Sequence, residues 1–346
     1  MPPRLSSPFH VLCSRPGMEN GLLEEAQTRF GLFGTPLAPG RVKLEGGLPD
    51  LPLIFEWQRL PNARFFPLEK GAQPDPEIAE AFWSFFSEQP VPWAVQKVPA
   101  PEGEGVSPGR LNAVIRDLIR AGKKRHPELI RWERKPAKLF RTSEGRILQV
   151  SALRNGFFFS VAPPPELSSA VPGGELRMKM DDRAPSRSYL KIEEAFHRMG
   201  VEPAAGDTVI DLGAAPGGWS YACARRGARV TAVDNGPLKI EDACIRRIDH
   251  VHADGLTFRL SRHQPPVDWL VSDMLISPGD AFGLLKHWVG GHHCSRMVMN
   301  LKLPQHHPMA ALLPVVEWIE SFPGLHLRQL CHDRREVTCY GQLAEP

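Results

Sequence analysis

The apolar positions in the second half of the chain fall into short runs separated by stretches of helical period. Residues 208–210, 230–233, 248–253, 267–272 and 297–301 are rich in Val, Ile, Leu and Met, and the ionisable residues Asp211, Asp234, Asp254, Asp273 and Lys302 follow them. Strands alternating with helices in this way predict an α/β domain built on a parallel sheet. Ligands bind such a sheet beyond the carboxyl ends of its strands. One strand-end Asp is most simply the cap of the next helix. A series of them in register behind a glycine-rich turn points instead to a site.

That turn is DLGAAPGGWS, residues 211–220, between the first run and a helix-compatible stretch over residues 219–226. Gly213, Gly217 and Gly218 fall in the connection, where glycine permits positive φ and lets a ligand approach the backbone. The spacing G-x-x-x-G-G differs from the G-x-G-x-x-G that cradles a pyrophosphate. With Asp211 at the strand end, an amine-bearing cofactor without phosphates fits better than a dinucleotide. Asp234, about twenty residues beyond the turn, is placed to accept from ribose hydroxyls.

The first half reads as mixed α and β. Residues 9–13 form a short strand, 19–30 an amphipathic helix, and 78–88 a second helix carrying Phe82, Trp83, Phe85 and Phe86. Those aromatics are more simply core than a stacking platform for bases. Residues 146–161 read as a hairpin. The proline-rich segments 97–109 and 162–174 are loops, and the second marks the domain break, giving an N-terminal region 1–165 and an α/β domain 176–346. No internal repeat or low-complexity tract is present.

Charge adds one feature. The whole chain of 346 residues carries only +3, but residues 110–141 hold eleven Lys/Arg against Asp117, Glu128 and Glu133, a net +8. Arg116 and Arg120 lie one helical turn apart with Lys123 close to the same face, a geometry that suits phosphates. A basic stretch alone is as readily a solvated surface. Beside a nucleotide-like site, it indicates nucleic-acid contacts that position more than they specify.

Other classes are disfavoured. No run approaches the roughly 18 apolar residues of a membrane span, and residues 1–11 lack the apolar centre of a signal peptide, so the cytoplasm is expected. Cys13, Cys223, Cys244, Cys294, Cys331 and Cys339 are scattered without a C-x-x-C pair, which suggests reduced, packed thiols. His292, His293, His306 and His307 flank Lys302 but lack the i, i+4 spacing of zinc helices, so no metal is expected.

Two further ionisable residues complete a set. Lys191 lies in the helical stretch SRSYLKIEEAF, and Glu336 lies in HDRREVTCY, where Glu336, Thr338 and Tyr340 alternate onto one strand face. If both return to the sheet's carboxyl edge, Lys191, Asp273, Lys302 and Glu336 converge. Attack by a hydroxyl on a sulfonium methyl requires loss of the hydroxyl proton. A lysine accepts it only when neutral; burial and a second ammonium lower its pKa, while the two carboxylates oppose that shift. Orientation is as reasonable a role for the acids as pKa tuning.

SRSYLKIEEAFHR, DLGAAPGGW, VDNGPL, NLKLP and HDRREVT together resemble the FtsJ-type ribose 2'-O-methyltransferases, and within them the bacterial enzymes that methylate a cytidine ribose of large-subunit ribosomal RNA. The likeness covers residues 179–340. It implies a Rossmann-like domain, S-adenosylmethionine as cofactor, 23S ribosomal RNA as partner, and an N-terminal module with a THUMP-type RNA-binding domain, a part resting on position more than motif. A monomer is expected. By the same resemblance Lys302 is the base, Lys191, Asp273 and Glu336 complete the tetrad, and Ser188, Gly213, Ala215, Pro216, Gly217, Gly218, Asp234, Asp254 and Asp273 line the cofactor. Two departures occur: Arg335 stands beside Glu336 where relatives often pair carboxylates, and Ala215 stands where Cys is common.

The alternatives are a base N-methyltransferase and a non-catalytic RNA-binding assembly factor. The first carries an N/D-P-P-Y type motif after the fourth strand; here that segment is SDMLISP. The second has no need of the tetrad. A dehydrogenase is disfavoured by the glycine spacing.

Overall fold

The computed structural model describes residues 9–67, 83, 90–100, 107–261 and 263–344. The chain divides into two compact units, Met1–Glu175 and Leu176–Pro346. No helix among the described residues is long and apolar enough to cross a membrane.

The first unit is a seven-stranded mixed sheet. Its strands are β1 (Phe9–Cys13), β2 (Phe33–Ala38), β3 (Arg41–Glu45), β4 (Gln58–Pro67), β5 (Trp93–Val98), β6 (Arg146–Leu153) and β7 (Gly156–Ala162), in the order β2-β3-β1-β4-β7-β6-β5. Strands β6 and β7 are the antiparallel hairpin expected from the sequence, and β5 joins β6 in parallel. Helix α1 (Glu19–Phe30) ends at Gly31 in the left-handed conformation that favours glycine. Helix α2 (Pro108–Arg125) is capped by Ser107, whose hydroxyl accepts from the Arg110 amide. It buries Leu111, Val114, Ile115 and Leu118 in a core with Trp83, Trp93 and Phe159, and so leaves Arg116, Arg120, Lys123, Lys124 and Arg125 exposed. Two short helices follow, α3 (Pro127–Ile130) and α4 (Pro136–Thr142).

Trp83 is fully buried, and its indole N–H donates to the Leu118 carbonyl at 2.9 Å. A Cβ on Gly122 would lie 1.8 Å from the Trp83 ring, so the ring packs where α2 has no side chain. The core reading therefore holds for Trp83; Phe82, Phe85 and Phe86, with the rest of that expected helix, lie outside the described residues.

The second unit contains β8 (Thr208–Leu212), β9 (Arg229–Val233), β10 (Ile248–Val251), β11 (Val267–Ser272), β12 (Cys294–Lys302), β13 (Leu325–Arg328) and β14 (Glu336–Gln342) in the order β10-β9-β8-β11-β12-β14-β13. The first five are parallel; β14 runs antiparallel to β12 and to β13. Helices α5 (Tyr189–Met199), α6 (Gly218–Ala224), α7 (Pro278–Trp288) and α8 (Pro308–Ile319) connect or flank the strands. Phe196 meets Trp269 edge-on at 5.3 Å in a core that includes Val209, Trp219 and Val271. Strand order reverses between β8 and β11, which opens a crevice beyond their carboxyl ends. None of the six cysteines forms a disulfide, and all but Cys331 are buried.

The expected strands of this unit are found with shifted ends. The third stops at Val251 rather than residue 253, and the fifth extends to Cys294–Lys302.

Candidate active site

Register builds the centre of the site. Strand β14 pairs with β12 so that Glu336 stands opposite Lys302 and Thr338 opposite Asn300. Side chains two apart share a sheet face, so these four project together. Asp273 follows directly on β11, the parallel neighbour of β12. Lys191 enters from the first turn of α5. That helix is tied to the β13–β14 connection by Glu194, which is fully buried, pairs with Arg198 and accepts from the Cys331 amide at 2.8 Å.

The four residues close a ring of alternating charge. The Lys302 ammonium lies 2.6 Å from Asp273 Oδ1 and also bonds Glu336 Oε2. The Lys191 ammonium lies 3.2 Å from Asp273 Oδ1 and pairs with Glu336 Oε1. Each carboxylate bridges both ammoniums, so the set is neutral as a whole. Arg335 is exposed beside buried Glu336, leaving one acid in the ring at that end.

Protonation differs from the sequence expectation for Lys302. Burial pushes the Lys302 ammonium towards neutrality, but Asp273 and Glu336 outweigh it and the net shift is upward from 10.5. In this arrangement Lys302 is an ammonium. Glu336 is shifted the other way: burial raises it, Lys191 and then Lys302 lower it, and the net is downward.

The glycine turn lies at the neighbouring strand end. Gly213 and Gly217 have φ of 74° and 110°, so a side chain at either would be strained. A Cβ on Gly218 would lie 2.4 Å from Ser186 Oγ and 3.2 Å from Ser188 Oγ, which places both hydroxyls over the start of α6. Those hydroxyls are 2.8 Å apart, and the Ser188 carbonyl accepts from the Trp219 indole at 3.0 Å. The Ala215–Pro216 peptide is cis. Asp234 accepts from the Ala215 amide at 3.0 Å and the Gly236 amide at 2.6 Å, which fixes its carboxylate against the turn. Asp254 is exposed and accepts from the Leu256 amide at 2.9 Å. Its neighbour Gly255 packs so closely that a Cβ there would lie 3.2 Å from the Gly213 amide nitrogen.

Asp211 plays a different part. It is fully buried behind the turn, where Ser220 donates to it at 2.6 Å. Burial pushes its carboxyl up to about 7 against that hydrogen bond, and Asp273 and Asp234 add to the rise. Asp211 thus feels the charge of two other carboxylates around one turn. Anionic acceptors of this kind suit a ligand bearing an ammonium and a sulfonium; they would repel a pyrophosphate.

Ser186, Asn300, Asp333 and Thr338 were not among the residues expected from the sequence. The two-residue spacings Asn300–Lys302 and Glu336–Thr338 carry the signal for Asn300 and Thr338. Among the described residues no group of three or more His, Cys, Asp and Glu could hold a metal ion.

Residues 184–318 match the FtsJ-like methyltransferase family. The match lies within the second unit. A curated relative from Azotobacter vinelandii, named ribosomal RNA large subunit methyltransferase M, is 41% identical over 189 residues, which are 51% of this chain and 53% of its own. The protein of that name from Pseudomonas savastanoi pv. phaseolicola is 39% identical over 236 residues, 64% of this chain and 61% of its own. The chain spans about half the length of the curated relatives it matches. A solved Burkholderia thailandensis 1,6-didemethyltoxoflavin-N1-methyltransferase, with S-adenosylhomocysteine bound, is 15% identical with a TM-score of 0.34, covering 47% of this chain and 80% of its own.

Proposed function

We propose that this chain is a cytoplasmic enzyme that transfers a methyl group from S-adenosylmethionine to the 2'-hydroxyl of a cytidine in large-subunit ribosomal RNA. The observation that carries the reading is the ring of Lys191, Asp273, Lys302 and Glu336 beside the glycine turn at the strand-order reversal. The names of the curated relatives supply the RNA.

S-adenosylmethionine, when bound, supplies an electrophilic methyl group on a sulfonium. Ser188, Gly213, Ala215, Pro216, Gly217 and Gly218 would hold it, with Asp234 and Asp254 on the nucleoside and Asp273 towards the charged end. During the transfer the 2'-hydroxyl proton would pass to Lys302 Nζ. Lys302 accepts it only from its neutral form, so a second cation sharing Asp273 favours the reaction by weakening the pull on the Lys302 proton. Lys191 holds Asp273 and Glu336 in place while Lys302 changes charge.

In the first unit, the exposed row on α2 and a groove of about 990 Å³ lined by Arg134, Lys135, Lys138 and Arg141 offer phosphate contacts. Part of the row is already engaged: Arg120 lies 3.5 Å and Arg116 3.7 Å from Asp117. We assign this unit to RNA binding.

The test is ribosomal RNA from cells lacking the gene, analysed by nucleoside mass spectrometry. One 2'-O-methylcytidine should be missing and return with the wild-type gene. Loss of a base-methylated nucleoside instead would favour base methylation, and an unchanged nucleoside profile would contradict the proposal.

A further inference from the structure

Behind the tetrad lies a hydrogen-bond chain whose direction its donors and acceptors determine. Asn300 Nδ2 is 2.8 Å from Asp273 Oδ1. Asp273 is a carboxylate held by two ammoniums, so only an N–H can face it, and the Asn300 carbonyl oxygen must point the other way. Thr338 Oγ1 lies 2.6 Å from that carbonyl oxygen and must donate to it. A hydroxyl has one hydrogen. Thr338 Oγ1 also lies 3.0 Å and 3.3 Å from the two oxygens of Asp333, and this contact lacks a hydrogen unless Asp333 supplies it.

Asp333 is fully buried. Its carboxyl accepts from the Leu330 amide at 2.8 Å, and among the described residues it has no Lys or Arg ion pair. Lys191 is the cation whose charge reaches it, and Glu336 opposes that charge. An ionised carboxylate there would have one amide and a hydroxyl already committed elsewhere, a costly arrangement for a buried charge.

We infer that Asp333 is a neutral carboxylic acid that acts as a positioning residue, donating to Thr338 and so fixing Asn300 to present its N–H to Asp273 and align Asp273 with Lys302. Burial first, and the charge of Glu336 second, raise the Asp333 carboxyl well above 3.8, in keeping with this state. Ionisation of Asp333 would draw the Thr338 hydrogen towards it and release the Asn300 carbonyl. The amide could then turn its oxygen to Asp273, and the ring would lose its alignment.

The inference rests on the proposed methyl transfer for its kinetic arm only. The substitution Asp333→Asn mimics the neutral acid, with an amide N–H to donate to Thr338 and an oxygen to accept from Leu330. Asp333→Asn should therefore keep the single-turnover rate at neutral pH within about twofold, whereas Asp333→Ala and Thr338→Val should each lower it about tenfold to a hundredfold with cofactor affinity unchanged. Thr338→Ser should restore it. If Asp333→Asn loses as much as Asp333→Ala, the carboxylate charge is needed and the inference is wrong. The arm independent of activity is the infrared difference spectrum of wild type minus Asp333→Asn at pH 7. A protonated carboxyl stretch supports the inference, and a carboxylate band overturns it whether or not methyl transfer is ever observed.

Discussion

Replacing Lys302 by Arg separates the charge of this residue from its ability to accept a proton. Arginine keeps the cation between Asp273 Oδ1, 2.6 Å away, and Glu336, so the ring stays neutral and the fold is retained. It also stays protonated: the guanidinium pKa lies about 2 to 3 units above that of Lys, so the neutral form is roughly a hundredfold to a thousandfold scarcer at any pH. Part of this deficit is offset because a stronger base reacts faster once deprotonated. A fall of about 10- to 100-fold in single-turnover methyl transfer is expected, with cofactor affinity and melting temperature near wild type. The pH dependence is a second reading of the same group. Lys302 is held above 10.5, so below about one molecule in a thousand carries it neutral at pH 7.5 in the arrangement seen here. The wild-type rate should then rise close to tenfold per pH unit from about pH 6 to at least about pH 8. A Lys302→Arg enzyme within threefold of wild type, or a wild-type rate flat across that range, would refute Lys302 as the base and leave it a fixed cation.

Two further outcomes follow from the geometry. Reversing charge at Lys123 and Lys124, both exposed on α2, should weaken RNA binding and make its salt dependence shallower by about one to two units of slope; titrations at several salt concentrations check this, and an unchanged slope would remove the row from the RNA surface. The Asp211 carboxyl is raised to about 7 in the folded protein from an ordinary 3.8, so the folded state binds the extra proton between these values and stability falls as pH rises through that window, by up to about 4 kcal/mol. Asp211→Asn should gain stability relative to wild type progressively from about pH 4 to about pH 7, and thermal melts showing the same pH slope in both proteins would contradict the assignment.

The sequence carried the second unit further than the first because there the physics is regular. Its central strands are buried on both faces, so Val209, Ile210, Leu270 and Val271 read as apolar runs, and each run ends at the sheet edge where the ionisable residues sit. What the runs could not show was the antiparallel course of β14, which sets Glu336 opposite Lys302. Asp333 escaped notice because a buried neutral acid looks like any charged residue in a string such as HDRREVT.

The first unit hides its strands behind buried polar residues. Gln58, Gln96 and Gln149 are interior, with Gln96 Oε1 accepting at 2.9 Å from Gln149 on the neighbouring strand and at 3.1 Å from Gln58 on β4. Arg59 is buried against Glu56 at 2.6 Å. Such a ladder breaks the apolar–polar alternation by which a strand is recognised. Pro36 and Pro61 add to the effect, since proline within a run argues against a strand. Only β1 and the β6–β7 hairpin keep a legible pattern.

The most direct test of the central claim is transfer of labelled methyl from S-adenosylmethionine to unmodified large-subunit ribosomal RNA, with wild type and Lys302→Ala side by side, followed by alkaline hydrolysis and nucleoside analysis. The account predicts label in an alkali-resistant 2'-O-methylcytidine with wild type, and its loss in the variant while cofactor binding persists. Label recovered on a base, or equal label from both proteins, would contradict it.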